Sequence, residues 1–483
     1  MLKNKKSIIK KMTSVVVLAN ILMVSSSLPI NAKDNNVSNV LLGQIDYNDQ
    51  MSTKEKEVMS VISEGLKKRE ENIDVSSFSL GEKEINKIVK DTYIRHPEFF
   101  YVDNRIFGMG LSKDTVAVVS PQYLYDEKET ATYQEKINEK TKEILNKIDN
   151  TMNDFQKALI IHDEIVLNCK YENAEINQQY STIYGGLIDN SCDCNGYAKT
   201  YSYLLSLAGI DSEIIYCQPM YHMWNKVKID NNYYNVDVAW DDPMPDSYGL
   251  VNHDYFLFSD TVAEKYKHHD YSSNYSSQNN KYDNSKIHKL NSKACYVNNK
   301  CFAINNSFDN GEKRGLFVFD KNNNISLIKE ISSYWKSSTG HWAAGFSGLG
   351  TYNEKLYFNT SNEIYEVNPI NYSSKKIASN TSKDKEYYGL IVEDNNIYTM
   401  LKNDPNYNNG EKVLVKTIER SYKIGDVNED GSINIKDATE IQKWVVGIRK
   451  FTDEQKRLAD VNGDGIINIV DATNLQMKIM GLK

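Results

Sequence analysis

The chain has 483 residues, of which 25% are charged, and its 65 acidic against 57 basic residues give a net charge of −8. Its length allows two or three domains, each with a core of its own. The acidic balance argues against nucleic acid or anionic lipid as the main partner.

Residues 1–32 are predicted to be a secretory signal peptide. Five lysines between positions 3 and 11 precede an apolar stretch over 15–24, and residues 29–32 offer a cleavage site. A retained N-terminal anchor is the alternative, but the apolar stretch is short for a bilayer span of roughly 20 residues. We therefore expect a secreted, extracellular protein with no membrane span in the mature chain, or one held at the cell surface through a scaffold.

Residues 33–150 are predicted to form a mostly helical N-terminal lobe. Ser52 and Glu55 have the spacing of a capping box, and apolar residues follow at helical intervals. Further helices are predicted over 81–93 and 132–150, with a strand over 115–124. Because this segment carries no catalytic signature, we interpret it as a lobe that packs on the next domain.

The segment 151–264 contains a cysteine placed for nucleophilic catalysis. Cys194 opens a predicted helix that ends at Gly209, and residues 198, 201, 205 and 208 share its face. Backbone N–H groups and the helix dipole favour the thiolate form of a thiol in the first turn. Cys192 is the rival nucleophile, two residues earlier.

A predicted β-hairpin follows the helix. Two alternating runs, 222–229 and 232–240, flank a two-residue Asp-Asn turn. This pairing makes His222 and Asp237 diagonal neighbours on one face of the sheet. Asp237 is then able to orient the imidazole of His222 toward the Cys194 thiol, as in a Cys-His-Asp triad.

Three motifs in this segment resemble the transglutaminase-like (papain-like) cysteine enzymes of secreted bacterial proteins. They are Cys194-x-Gly-Tyr-Ala, His222-x-Trp-Asn and Tyr234-x-Val-Asp-Val-x-Trp-Asp-Asp-Pro. The resemblance also covers the runs that begin at residues 158 and 254. It implies an α+β fold with Cys194 as nucleophile, His222 as base and Asp237 as orienting residue.

Other polar residues of this domain have structural interpretations beside functional ones. His162 is a second catalytic histidine or, as we expect, a structural one. Asp241 and Asp242 form a metal-binding cluster or, as we expect, the capping carboxylates of a strand exit. The two glycines at 185–186 allow a close backbone approach, and the oxyanion donor lies there or is the Cys194 backbone N–H.

Two segments of simpler composition come next. Residues 265–288 are rich in Tyr, Ser, Asn and Lys and predict a linker. Residues 289–420 predict an all-β region, propeller-like in its loose repeat of about 40 to 45 residues, although only about three units fit. Binding of substrate or glycan and a spacer role are equal interpretations of it. Cys295 and Cys301 are candidates for a disulfide across a small hairpin.

The C-terminal segment 421–483 contains a duplicated loop with the ligand spacing of a calcium site. Oxygen ligands recur at loop positions 1, 3, 5, 9 and 12, Gly stands at position 6, and position 7 offers its backbone carbonyl. The predicted ligands are Asp426, Asn428, Asp430, Ser432, Asn434 and Asp437 in the first copy, and Asp460, Asn462, Asp464, Ile466, Asn468 and Asp471 in the second. A pair of Asn/Asp turns without metal is the alternative. Helices are predicted over 438–446 and 472–480.

The duplicated loops, with Asp at position 12 and no entering helices, resemble a type I dockerin, the cohesin-binding module of cellulosome-type assemblies. The resemblance implies two bound calcium ions and a partner, the cohesin domain of a scaffold protein. It also implies that the residues before position 12 contact cohesin: Ile435, Lys436, Ile469 and Val470. Three of the four are apolar, so we expect a largely hydrophobic contact.

Together these features predict a secreted, cysteine-dependent acyl-transfer enzyme that acts on protein amides and docks onto a scaffold. The triad fits hydrolysis and crosslinking alike, because either water or a lysine amine can accept the same acyl group. The resemblance to bacterial extracellular modules favours a peptidase over a transglutaminase crosslinker. A non-catalytic binding module and a carbohydrate-active enzyme are the other classes. The carboxylate pair that a glycosidase needs is not evident in the sequence.

Overall fold

The computed structural model describes residues 14–18 and 51–482, with gaps at 113, 149, 176, 245–246, 308–312, 321, 338–339, 342–344, 405–409 and 420–421. The chain divides into two compact units, residues 1–247 with 251–291 and residues 248–250 with 292–483. Apart from residues 14–18, the predicted signal peptide lies outside the described residues. None of the described helices combines the length and hydrophobicity that crossing a membrane requires.

The described residues form both helices and antiparallel sheets, which confirms the predicted α+β class. The α-helices are α1 Thr53–Lys67, α2 Glu82–Arg95, α3 Glu127–Leu145, α4 Asp154–Asn168, α5 Cys194–Leu207, α6 Val238–Asp241, α7 Asp260–Lys265, α8 Ile435–Val445, α9 Asp453–Ala459 and α10 Ile469–Ile479. Shorter turns of 3-10 helix span Ser76–Phe78, Pro97–Phe99, Gln178–Ser181 and Lys286–Lys289, and Gly185–Asp189 is a turn of π-helix.

The strands alternate with these helices in the first unit and dominate the second. Those of the first unit are β1 Ser14–Leu18, β2 Ile73–Asp74, β3 Val102–Ser112, β4 Thr115–Tyr123, β5 Lys170–Tyr171, β6 Ser191–Cys192, β7 Ser212–Cys217, β8 His222–Ile229, β9 Asn232–Val236 and β10 Phe256–Phe258. Those of the second are β11 Cys295–Val297, β12 Lys300–Asn305, β13 Gly315–Phe319, β14 Ile325–Glu330, β15 Lys336–Ser337, β16 Gly340–His341, β17 Leu349–Tyr352, β18 Lys355–Asn359, β19 Glu363–Val367, β20 Ser374–Ser379, β21 Glu386–Glu393, β22 Asn396–Lys402 and β23 Glu411–Thr417.

The N-terminal lobe combines α1, α2 and α3 with a sheet of order β1-β3-β4-β2. Ser52 caps α1 through the predicted capping box, in which Glu55 bonds back to the Ser52 N–H at 2.7 Å. Apolar residues of α1, α2, β3 and β4 share one buried core. The lobe therefore contains more β-strand than we predicted. Strand β3 was not predicted because Gly108 and Gly110 interrupt the alternation of apolar residues that indicates a strand.

A second sheet, of order β10-β9-β8-β7, carries the predicted hairpin. Asp230 and Asn231 both have positive φ, 50° and 64°, as the two-residue turn requires. Ala198 of α5 packs with Ile214 and Met223 of this sheet. Helix and hairpin are thus held together by apolar packing.

The second strand of the hairpin is shorter than the predicted run to residue 240. Strand β9 ends at Val236, which pairs with Asn225. Asp237 then begins α6, and its Oδ1 accepts a hydrogen bond from the Trp240 N–H at 3.2 Å. The predicted diagonal pairing of His222 and Asp237 in the sheet is therefore wrong, because the Asp237 carboxylate caps a helix.

The segment 265–288 is packed in the first unit, so the linker interpretation is wrong. His268 and Ser277 are fully buried, and Tyr282 is 3% exposed. The ring of Tyr275 stacks on Tyr233 with centroids 3.9 Å apart. The scarcity of aliphatic residues suggested a linker, but aromatic rings supply the buried surface of this segment.

The β region of the second unit contains three consecutive antiparallel meanders: β11 to β14, β17 to β20 and β21 to β23. Such up-and-down sheets have the connectivity of propeller blades, while closure into a propeller stays a prediction. Cys295 pairs with Phe302, and Cys301 pairs with Tyr296 one position along. The two cysteines consequently point to opposite faces of the sheet, and the predicted disulfide between them is wrong.

The C-terminal segment folds as α8, α9 and α10 around an apolar core that includes Val427, Ala438 and Leu475. Helices α8 and α10 begin three residues earlier than predicted, since Asn434 and Asn468 are their N-caps. Helix α9 leads into the second loop. The expectation that no helix enters the loops is therefore wrong for the second copy.

Candidate active site

Cys194 is the first residue of α5 and is 6% exposed. The Asp193 carboxylate caps this helix and accepts a hydrogen bond from the Gly196 N–H at 3.0 Å. A Cβ on Gly196 would lie 2.1 Å from the carbonyl oxygen of Tyr180. The Cys-x-Gly spacing therefore lets the chain pack tightly behind the thiol at the helix N-terminus.

His222 lies between the Cys194 thiol and the Asp237 carboxylate. Its Nε2 is 2.6 Å from Asp237 Oδ2, and its ring also hydrogen-bonds the Cys194 side chain. Burial acts to lower the pKa of His222, but the charge and hydrogen bond of Asp237 outweigh it and raise that pKa to about 10. The site therefore favours an imidazolium beside the thiol.

Asp237 is fully buried and accepts three hydrogen bonds. Its Oδ1 bonds the Trp240 N–H, while its Oδ2 lies near His222 Nε2 and 2.8 Å from His268 Nε2. Burial acts to raise the pKa of Asp237, yet the charge of His222 and the bonds from both histidines lower it to about 2. The carboxylate stays ionised and fixed in orientation.

Cys192 is unsuited to be the nucleophile. Its side chain is fully buried, and its Sγ lies 3.5 Å from Cys169 Sγ. Burial and the neighbouring Cys169 thiol raise the pKa of Cys192 well above the ordinary range. Of these two candidates, the structure brings only Cys194 together with His222.

His268 is a site residue that the sequence did not reveal. It stands in the segment predicted to be a linker, yet its ring lies 4.6 Å from Trp224 and 4.4 Å from Trp240, centroid to centroid. A lone histidine in a polar stretch gives no periodic signal. Only the path of the chain back over the hairpin brings it to Asp237.

The two C-terminal loops have matching geometry around their carboxylates. Asp437 accepts bonds from the Asn428 and Asn434 N–H groups at 3.0 and 2.9 Å. In the second loop, Asp471 accepts equivalent bonds from the Asn462 and Asn468 N–H groups at 3.3 and 3.0 Å. Each position-12 carboxylate thus faces the interior of its own loop.

The first loop also passes a chemical test for a bound cation. Asp426 Oδ1 is buried, and no described residue donates a hydrogen bond to it. Burial and the nearby Asp437 and Asp430 carboxylates raise the pKa of Asp426 to about 6. Converging carboxylates with an unsatisfied oxygen match the hard oxygen ligands that Ca²⁺ prefers. The side chain of Ile466 is 64% exposed, which agrees with a role for its carbonyl alone.

Two parts of the chain match known families. Residues 142–238 match the Transglutaminase-like superfamily, and residues 424–480 match the Dockerin type I domain. Both sequence resemblances are confirmed. No curated protein matches the chain.

A solved structure described as a candidate cysteine protease from Cytophaga hutchinsonii is also similar. The two chains are 18% identical over 27% of this chain and 53% of the other, with a TM-score of 0.19. The chain thus spans about half the length of that relative.

The transglutaminase-like domain contains a second buried network in addition to the contacts of Cys194, His222 and Asp237. His162 bonds Asp163 Oδ1 at 2.9 Å and Asp241 Oδ2 at 3.2 Å, and His253 bonds Asp163 Oδ1 at 2.9 Å. Burial acts to lower the pKa of His162, but hydrogen bonds to both carboxylates raise it to about 9. Burial raises the pKa of Asp241 to about 6. This network ties α4 to α6 and to the following loop.

The aspartates after the hairpin therefore have a different role from the one predicted. Asp241 is fully buried and accepts the His162 bond, while Asp242 accepts a hydrogen bond from the Tyr197 hydroxyl at 2.5 Å. Both carboxylates join buried helices, so the expectation of capping groups at a strand exit is wrong.

The dockerin presents its predicted cohesin-contacting residues at equivalent places. Each pair stands at the start of its helix, α8 or α10, directly after the N-cap asparagine. Ile435, Ile469 and Val470 are between 50% and 57% exposed, and Lys436 is exposed as well. An apolar surface of this kind is typical of a protein-binding face.

Proposed function

We propose that the transglutaminase-like domain is a cysteine-dependent acyl-transfer enzyme acting on protein amides, and a peptidase in its main activity. The arrangement of Cys194, His222 and Asp237 carries this proposal. It unites a thiol at a helix N-terminus, a base in hydrogen-bond contact and a buried carboxylate that orients the base.

The reaction begins when His222 holds the Cys194 proton and the thiolate attacks an amide carbonyl. The C–N bond breaks, the amine leaves with the proton from His222, and a thioester remains on Cys194. Water then attacks with His222 as base, which releases the acid and restores the thiol. Hydrolysis is favoured over crosslinking because crosslinking needs a lysine of a second protein to reach the thioester.

The dockerin supplies the second part of the proposed function. Two Ca²⁺ ions, one per loop, would hold the loops that start α8 and α10, through the twelve ligand positions predicted from the sequence. The exposed pairs Ile435–Lys436 and Ile469–Val470 would then bind a cohesin domain of a scaffold. Together with the predicted signal peptide, the dockerin supports the proposal that the enzyme belongs to an extracellular, cellulosome-type assembly.

The acceptor is tested by giving the purified protein an unfolded protein substrate together with a fluorescent primary amine. A peptidase produces new N-termini, whereas a transglutaminase incorporates the amine and releases ammonia. Both products should be absent with Cys194→Ala and unaffected in Cys301→Ala, which removes a buried cysteine of the second unit. Product formation that survives Cys194→Ala would overturn the proposal.

A further inference from the structure

We infer that His268 is a positioning residue of the catalytic site, which holds the Asp237 carboxylate in the orientation that His222 requires. This inference rests on the proposed function, since it concerns the same triad. His268 acts through its hydrogen bond to Asp237 rather than on the reacting thiol.

The hydrogen bonds around Asp237 define this role. His222 Nε2 and His268 Nε2 lie 2.6 and 2.8 Å from the same oxygen, Oδ2. The other oxygen, Oδ1, is held by the Trp240 N–H. With one backbone donor and two imidazole donors, the carboxylate is unable to rotate without breaking a bond. Fixing Oδ2 in turn fixes the plane and tautomer of the His222 ring.

The same three side chains are also close enough to be considered as metal ligands, but their distances fit hydrogen bonds. Ligand atoms around a tetrahedral metal with bonds of about 2.0 Å lie about 3.3 Å apart. The two nitrogen-to-oxygen distances, 2.6 and 2.8 Å, are shorter than that and match charge-assisted N–H···O bonds. Oδ2 of Asp237 therefore accepts one hydrogen bond from each of the two imidazole rings.

The surroundings of His268 show that this bond is its main polar contact. The ring is fully buried among Trp224, Trp240, Tyr255 and Phe258, with centroids 4.4 to 6.2 Å away. Among the described residues, none forms a hydrogen bond with its Nδ1. A buried polar ring is costly when an aromatic hydrocarbon would fill the space. The bond to Asp237 offsets that cost, which identifies a site role rather than simple packing.

Two substitutions separate the donor from the bulk of the ring. His268→Phe keeps an aromatic ring and removes the donor, while His268→Gln offers an amide N–H near the position of Nε2. His288→Gln is the matched control, because His288 is a partly buried histidine of the same unit that bonds the Phe256 carbonyl at 2.9 Å.

The first readout is the rate at which iodoacetamide alkylates Cys194 across a pH series. We expect His268→Phe to slow the reaction at least about tenfold, His268→Gln to recover most of the rate, and His288→Gln to match the wild type. A residue that only stabilises the fold would change the melting temperature and leave the pH profile in place. Wild-type rates in a folded His268→Phe variant would overturn the inference.

The second readout does not need an active thiol. In protein labelled with ¹⁵N-histidine, NMR should show slowly exchanging Nε2–H protons for both His222 and His268, and His268→Phe should shift the His222 signal. If wild-type Cys194 reacts slowly regardless of His222, the proposed function fails, and this readout alone decides the role of His268. An unchanged His222 signal in folded His268→Phe would overturn the inference.

Discussion

The transglutaminase-like domain and the dockerin build their sites in opposite ways. Each dockerin loop takes all its ligand positions from twelve consecutive residues, and its helix starts inside the loop. The proposed triad takes Cys194 from a helix, His222 from a strand and Asp237 from a helix cap. A local site depends on backbone turns within one segment, whereas the proposed triad depends on how three separate elements pack.

The largest effect that this contrast predicts concerns Asp237→Asn. An amide NH₂ group in the place of Oδ2 would face both imidazole donors, and in the place of Oδ1 it would face the Trp240 N–H. Either orientation loses orienting bonds while the bulk of the side chain is unchanged. We expect turnover of a protein substrate to fall by about 10²- to 10⁴-fold. Asp211→Asn, which changes a surface ion pair with Lys228 in the same unit, should retain normal turnover. Activity within about threefold of wild type for Asp237→Asn would contradict the assignment.

Removal of calcium tests whether the local site is self-contained. Chelation leaves the converging carboxylates of Asp426, Asp430 and Asp437 without a counter-ion, so we expect the dockerin to unfold. Calorimetry should show one transition lost in chelator and regained with added Ca²⁺, while the alkylation rate of Cys194 stays constant. Loss of both together would show that the two sites depend on each other.

The next largest effect is the loss of cohesin affinity when the exposed face of the dockerin is changed. We consider a quadruple variant in which Ile435, Lys436, Ile469 and Val470 are all replaced by Ser. Its affinity for a cohesin should be lower by at least about 100-fold, since apolar anchors dominate such interfaces. Calorimetric titration measures the loss. Met244→Ser, which changes another exposed apolar residue outside the dockerin, is the control. Undiminished affinity in the quadruple variant would remove these residues from the interface.

The smallest effect is the dependence of stability on pH. Asp237 raises the pKa of His222 to about 10, above the ordinary value of about 6.5. A histidine with a raised pKa stabilises the folded state fully below about 6.5, and this contribution disappears as the pH rises through about 10. Denaturant titrations between pH 7 and 10 should therefore show a loss for wild type that exceeds the loss for His222→Gln by on the order of 1 kcal/mol or more. Parallel curves would contradict the ion pair.

These differences also explain how far the sequence could predict the molecule. The helix at Cys194 and the turn at Asp230–Asn231 follow from local rules of capping and positive φ, and the structure has both. The helix cap made by Asp237 was not predicted, because an aspartate that follows a strand is equally consistent with a longer strand and with the start of a helix. His268 was missed because its burial depends on aromatic packing across the hairpin, which leaves no periodic pattern.

The central claim is that His222 activates Cys194, and the rate of alkylation tests it most directly. The purified protein is treated with iodoacetamide at mildly acidic pH, and each cysteine is followed by mass spectrometry, with Cys194→Ala and His222→Ala in parallel. We predict fast modification at Cys194 that slows by about 100-fold or more in His222→Ala. Slow labelling spread over several cysteines, equal in wild type and His222→Ala, would contradict the claim.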